Sequence, residues 1–396
     1  MRKLFSVDDH IMEPPNVFTD RVASKYKDRV PHVIKDPKTG KDEWTWEGGE
    51  RIAAGMYAVA GKPPEEWNFD PIGYEDMIPG CYDPKARAKD FLSQGICASA
   101  AFPTLPGFGG ALFAQLKDKD LASVCVEAYN DFIVDEWCPA GPKGLYVPMV
   151  LTKLWDAEAA AQEIYRCVGK GAKAIAFTEN PVGLGLPSFW TDHWDPVWRA
   201  CQETDIPVCM HIGTGNDIPN PSPEAPSTLY ISLSYVAAMS ASLNLAMSPV
   251  CRKFDKLKLV FSEGGIGWIT AALERADFQW IKHGPWTKLT GTLPSEIFKR
   301  NMYVCMIHEP RALQLLRYDI GVHRILWEND YPHADTPWPN VQERVEEQVV
   351  NIPDDEAEAV LLGNAERIFN WKAAELESPE VKAIIGTEGT RETAGA

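Results

Sequence analysis

Six side chains in the 396-residue chain have the types and spacing to do chemistry. Asp8 and His10 lie in Val7-Asp8-Asp9-His10, Glu179 follows Phe177-Thr178, and His211 closes Val208-Cys209-Met210-His211. Glu263 stands in Phe261-Ser262-Glu263-Gly264-Gly265, and Asp330 in Trp327-Glu328-Asn329-Asp330-Tyr331-Pro332-His333. Each ends or follows a short apolar run. Carboxylates and imidazoles are the ligands that iron, manganese and zinc accept. Converging without a cation, this many acids would repel one another. Side chains alternate along a strand, so Asp8 and His10 share a face and Asp9 takes the other. Singly, each residue has an ordinary structural use. Glu263 could serve a helix N-terminus, His211 could be a packed core imidazole, Glu179 a solvated loop glutamate and Asp330 a turn residue. Their recurrence at successive strand ends is the signal.

The elements that must position them follow from hydrophobic periodicity. Short β-rich runs predict strands over 3–7, 96–102, 145–151, 173–177, 206–210, 258–261, 302–307 and 324–327. Helical patterns fall between and after them, over 84–94, 121–137, 156–168, 195–203, 267–282, 311–318, 341–350 and 354–371. Strands alternating with helices imply a parallel sheet. About eight such units in one chain predict an α/β fold, a (β/α)8 TIM barrel, whose chemistry sits at the C-terminal strand ends. No glycine-rich phosphate fingerprint follows the first strand, which weighs against a dinucleotide fold. Residues 1–375 read as one barrel domain and 376–396 as a polar C-terminal extension. Two long insertions would lie on the catalytic face as lid material. One covers about 14–82, with Trp44, Trp46, Tyr57, Trp67, Phe69 and Tyr74; the other covers 213–227.

Composition narrows the partners. A net charge of −17 argues against a nucleic-acid binder, which needs a basic stripe for phosphates, and equally against docking on anionic lipid. Nine scattered cysteines without a CxxC pair read as reduced, buried thiols of a cytoplasmic protein. The N-terminus reaches acid before an apolar core could form, so no signal peptide is expected. The uncharged stretch 229–247 approaches the length of a membrane span. Its serines and Asn244 make it a buried or interface-facing helix, and self-association into a homo-oligomer is expected.

Several motifs together resemble the amidohydrolase-related (type 2) family of metal-dependent barrels. They are Val7-Asp8-Asp9-His10 with Glu13-Pro14-Pro15, the segment 83–87 leading to Ala101-Phe102-Pro103-Thr104, and His193-Trp194-Asp195-Pro196-Val197-Trp198. Further matches are 208–211, 261–268, 328–333 and Leu362-Gly363-Asn364-Ala365. The resemblance implies one or two divalent ions (iron, manganese or zinc) on Asp8, His10, His211 and Asp330. It implies Glu179 as a bridge between two ions and Glu263 as a further ligand. Two departures stand out. The strand-one pair is Asp-x-His with Met12 beyond it, and Glu263 replaces a histidine that decarboxylating relatives use. The second departure weighs against non-oxidative decarboxylation.

The implied activity is a metal-dependent hydrolase that uses activated water on an amide, ester, thioester or lactone of a largely apolar carboxylic acid. Asp330 would move the proton and His333, with Tyr331 beside it, would assist at the carbonyl. Arg51, Lys62 and Arg87 are candidate anchors for an acidic substrate, and His193 a residue at a helix start. A decarboxylase or hydratase on the same barrel is the nearest alternative, and a non-catalytic metal-binding barrel the next. The expected partner is a small molecule, with no nucleic acid and no membrane.

Overall fold

A computed structural model of the chain describes all residues except 56, 68–72, 216–217 and 387–396. Eight parallel strands form its centre. They are β1 (Leu4–Ile11), β2 (Ile96–Pro103), β3 (Tyr146–Val147 and Met149–Val150), β4 (Ala174–Thr178), β5 (Val208–His211), β6 (Leu259–Ser262), β7 (Met302–Met306) and β8 (Ile325–Trp327). Every residue of β1, β2 and β4 to β7 is buried, which is why these strands read as continuous apolar runs rather than alternating ones. Neighbours pair in chain order from β1 to β8, and along that run the ladder is interrupted within β3, at Pro148, which has no N–H to give.

Helices return the chain between strands. They are α1 (Pro84–Ser93), α2 (Lys119–Phe132), α3 (Ala157–Lys170), α4 (Asp195–Glu203), α5 (Tyr235–Met247), α6 (Ile269–Thr287) and α7 (Pro310–Ile320), with α8 (Val341–Gln348) after β8. Their starts were legible. Asp83, Asp118 and Asp156 cap α1, α2 and α3 by accepting first-turn amide N–H groups. α3 stops at Gly171, whose φ of 111° suits glycine. The result is the predicted (β/α)8 architecture.

The ring closes without a ladder among the described residues. The amide of Asp330 donates to the Asp8 carbonyl at 2.8 Å, and that of His10 to the Tyr331 carbonyl at 2.7 Å. The Asn329 amide adds a bond to Ser6 Oγ at 3.0 Å. The seam between β1 and the segment after β8 therefore lies among the residues singled out by chemistry.

Arg87 supports the seam from beneath. It is fully buried, with Nε donating to Gly80 O at 2.7 Å and Nη2 to His10 O at 2.6 Å and Cys81 O at 3.0 Å. Its guanidinium lies 5.0 Å from the Tyr331 ring centroid and 5.2 Å from that of Trp137. As a candidate substrate anchor it is thereby corrected: the donors that have partners are spent on backbone carbonyls. Arg51 is likewise engaged, by Glu43 and Asp36.

Three segments differ from expectation. The long insertion holds a three-stranded antiparallel sheet (His32–Lys35, Asp42–Thr45, Arg51–Ala53), and buries Trp44 edge-on against Phe18. Its Phe69 lies outside the described residues. The stretch 229–247 is two helices, Ser227–Ser232 and α5, not one. Ala238, Ala241 and Leu245 of α5 are buried, while Leu229, Tyr230 and Ile231 are exposed. The C-terminal extension begins with an ordered helix, Pro379–Gly386, that buries Val381; Thr387 to Thr390 lie outside the described residues. All nine cysteines are free, and eight are buried.

Replacing Arg87 with Met takes a charged donor from the buried carbonyls of Gly80, His10 and Cys81, of which Cys81 keeps the Met12 amide at 3.1 Å. It should cost about 3 kcal/mol of stability, measured as a lower urea midpoint with an unchanged slope. A loss under about 0.5 kcal/mol, the level of an ordinary surface change, would contradict this role.

Candidate metal centre

Alternation along β1 sends Asp8 and His10 to one side and Asp9 to the other. Asp9 accepts from Ser99 Oγ at 2.6 Å and from Asn329 Nδ2 and the Tyr331 amide at 3.1 Å each. Its work is to hold the seam. His211 is the last residue of β5, and Glu263 follows β6. Asp330 stands three residues past β8, with His333 one turn further on. Glu263 and Asp330 have φ of 56° and 54°, the left-handed region that non-glycine residues enter at a cost. Such strain persists only where the surroundings over-determine it.

These residues converge. Asp8, His10 and His211 form one cluster and His10, Asp330 and His333 a second; in each, the candidate donor atoms lie within 4.8 Å of one another. His10 Nε2 is 3.1 Å from Asp330 Oδ1 and 3.5 Å from Asp8 Oδ1. His211 Nε2 is 3.4 Å from both Asp8 Oδ2 and Glu263 Oε2. His333 Nδ1 is 3.1 Å from Asp330 Oδ1. His211 Nδ1 donates to the Ile212 carbonyl at 2.6 Å, which leaves the Nε2 lone pair facing the carboxylates. The His10 and His333 rings stack at 3.7 Å.

The donor set fits a divalent cation. Both oxygens of Asp8, both of Asp330 and Nε2 of His10, His211 and His333 are buried with no hydrogen-bond partner among the described residues. Buried polar atoms rarely go unpaired, and two adjoining groups of them that share His10 call for a ligand. Electrostatics agree. Burial, then the charges of Glu328, Asp330 and Glu263, pushes Asp8 well above the usual carboxylate range. Glu263 and Glu328 are pushed up in the same way. Burial would also raise Asp330, but His333 and His10 outweigh it and hold this carboxyl well below its ordinary value. Burial pushes His211 down to about 4, the neutral form a metal requires.

Glu179, expected as a bridge, belongs to neither cluster; its carboxylate accepts the Gly215 amide at 2.9 and 3.0 Å. Glu263 reaches His211 but not a cluster, and its side chain is 22% exposed, opening outward where the others are sealed. Tyr331, considered as an aid at the carbonyl, is corrected: it is buried and its hydroxyl donates to Asp90 at 3.0 Å. His193 belongs to neither cluster. Sequence reasoning missed Glu328, whose buried carboxylate accepts the Glu263 amide at 3.2 and 3.1 Å. It also missed Phe108, whose ring lies 4.1 Å from that of His211 and 4.7 Å from that of His10. Glu328 sits inside the quoted motif, one pleat from Asp330, so its place was available; Phe108 lies in a glycine-rich loop with no periodic cue.

Protons and cation compete for these ligands, so manganese should stabilise the chain more at pH 8 than at pH 5.5. The sign follows from Asp8, which in the ion-free protein keeps its proton to a higher pH than an exposed aspartate. At pH 8 and an ion concentration 100 times the Kd, the gain should be about 2.7 kcal/mol. Thermal unfolding with and without manganese at the two pH values measures it, and equal gains would contradict the ligand set.

A family model described as Amidohydrolase matches residues 60–371. Among solved structures, an amidohydrolase from Mycobacterium avium subsp. paratuberculosis superposes with a TM-score of 0.70 at 20% identity, over 93% of this chain and 99% of that one. A 5-carboxyvanillate decarboxylase from Novosphingobium aromaticivorans, complexed with manganese and 4-hydroxy-3-methoxy-5-nitrobenzoic acid, gives 0.64 at 17% identity, over 93% and 96%. A dihydroxybenzoic acid decarboxylase from Polaromonas, with bound manganese and 2-nitroresorcinol, gives 0.61 at 18% identity, over 93% and 97%. At these identities the superpositions speak for the barrel fold, and the family model speaks for descent: the chain belongs to the amidohydrolase family.

Proposed function

We propose that the chain is a metal-dependent hydrolase of a small, uncharged carbonyl derivative (an amide, ester, thioester or lactone), with one divalent cation held by Asp8, His10, His211 and Asp330. The observation that carries this reading is the set of buried, unpartnered donor atoms those four residues bring together across the seam. A single ion is the simplest reading, because His10 belongs to both groups of donors and Glu179, the expected bridge to a second ion, to neither. A bound cation of this kind makes water acidic near neutral pH and a carbonyl more electrophilic. Manganese leads iron and zinc as the candidate, supported by the manganese in two of the structural relatives.

The chain's own residues supply the rest. Asp330, kept ionised by His333 and His10, accepts a proton from the attacking water at its carboxylate and later returns it to the leaving group. His333, 3.1 Å away, steadies that carboxylate. Burial keeps His211 neutral, and its Nδ1 bond to the Ile212 carbonyl leaves the Nε2 lone pair facing the carboxylates. Glu263 offers a second carboxylate on the open side of the site. Burial and the charge of Asp330 push the Glu263 carboxyl up in the ion-free protein, and a divalent ion beside it would favour the ionised form. Ionised, Glu263 favours a neutral carbonyl over an incoming carboxylate, and supports hydrolysis over loss of carbon dioxide.

Decarboxylation of a hydroxylated aromatic acid is the second reading. It is favoured by the relatives named for that reaction. A panel of esters, thioesters, amides and lactones beside hydroxybenzoic acids, assayed with manganese-loaded protein, separates the two. Hydrolysis is expected; carbon dioxide release from the acids alone would overturn it in favour of the second reading. Asp330→Asn should lower turnover about 10³-fold while manganese content by elemental analysis stays near that of the wild type. A fully loaded protein silent on both panels would leave only a non-catalytic barrel.

A further inference from the structure

We propose that Phe108 is the specificity-determining wall of this metal site, selecting a substrate with a flat ring next to its reacting carbonyl, and that Glu13 is the positioning residue that holds Phe108 there. The inference rests on the metal reading above and adds the shape of the group bound beside it.

Phe108 belongs to the loop 104–110 that leaves β2 on the catalytic face. Its ring packs against three histidines at once, 4.1 Å from His211, 4.7 Å from His10 and 5.9 Å from His333 between centroids. It is half-buried, more accessible than the three histidines it packs against. An aromatic face beside a cation's ligands excludes water and prefers another flat ring over a small aliphatic group.

The loop that carries it is built to stay still. The Gly107 amide bonds to Thr104 O at 3.0 Å, the Gly110 amide to Gly107 O at 2.8 Å and the Leu112 amide to Pro106 O at 3.0 Å. Gly109 presses so closely on β4 that a Cβ there would sit 2.8 Å from the Phe177 carbonyl carbon. The loop's first two amides, of Thr104 and Leu105, both donate to the Glu13 carboxylate at 2.9 Å. Glu13 is itself buried just past β1, and its carbonyl accepts the Tyr74 hydroxyl at 2.6 Å. One carboxylate thus ties the exit of β2 to the exit of β1, the strand that carries Asp8 and His10. A buried acid used in this way has no part in the proton transfers above.

The test uses cobalt-loaded protein and two metal-chelating probes, benzohydroxamate and acetohydroxamate, read through the visible cobalt spectrum. The readout is the ratio of the two affinities, so partial loss of cobalt or of folded protein cancels. The wild type should prefer benzohydroxamate about tenfold. Phe108→Ala should bring the ratio within about twofold of unity, and Phe108→Leu should fall between. Glu13→Gln, which turns one acceptor into a donor facing an N–H, should lower the ratio with Phe108 present and leave it where it stands in the Phe108→Ala background. A wild-type ratio retained in Phe108→Ala overturns the wall. An equal drop from Glu13→Gln in both backgrounds overturns the positioning role. No spectral response to either probe overturns the metal site, and this inference with it.

Discussion

The structure turns on the seam where the last strand meets the first. Elsewhere in the barrel, neighbouring strands are held by ladders. Here a few backbone bonds do that work, between Asp330 and Asp8 and between His10 and Tyr331. The same residues supply the candidate ligands. Closing the barrel and assembling the site are therefore one event, and Asp9, Asn329, Ser6 and Arg87 serve both. A change that loosens the ring displaces ligands, and a change among the ligands strains the ring.

That arrangement concentrates negative charge in a dry place. Asp8, Asp9, Glu328 and Asp330 are buried near one another, and Glu263 joins them at the rim. Lysine and arginine side chains could neutralise such a group, but they are large, and one cation occupies little space while satisfying several oxygens and nitrogens together. Left-handed backbone at Glu263 and Asp330 shows that the chain accepts local strain to aim these groups. Neutral imidazoles between the acids keep them apart, which is the second service of His10 and His211.

The sequence made the barrel legible because its strands are buried on both faces and their apolar runs are separated by capped helices. Predicted and observed strands agree to within a few residues. The ligands were legible for the same reason: a charged residue at the end of a buried run has few ordinary uses. Distance in the chain hid the rest. Nothing in the sequence near Glu179 reveals that Gly215 will claim its carboxylate, or that the Tyr331 hydroxyl will turn toward Asp90. Arg87 reads as one more surface cation on an amphipathic helix until the carbonyls it caps are folded around it. Phe108, between glycines, carries no periodicity. The insertion's small sheet was missed because its strands are three or four residues long, too short for alternation to show.

The seam also governs how the fold comes apart. Native proteins open in parts, and the parts with fewest cooperative bonds open first. In this chain the join between β1 and the segment after β8 has a few backbone bonds where other strand pairs have ladders, and a cation held across it would make ring opening and ion release a single step. Amide protons on either side of the join then exchange with solvent at the pace at which the ion departs. The breathing of the seam would then be a clock for the metal, readable without any substrate.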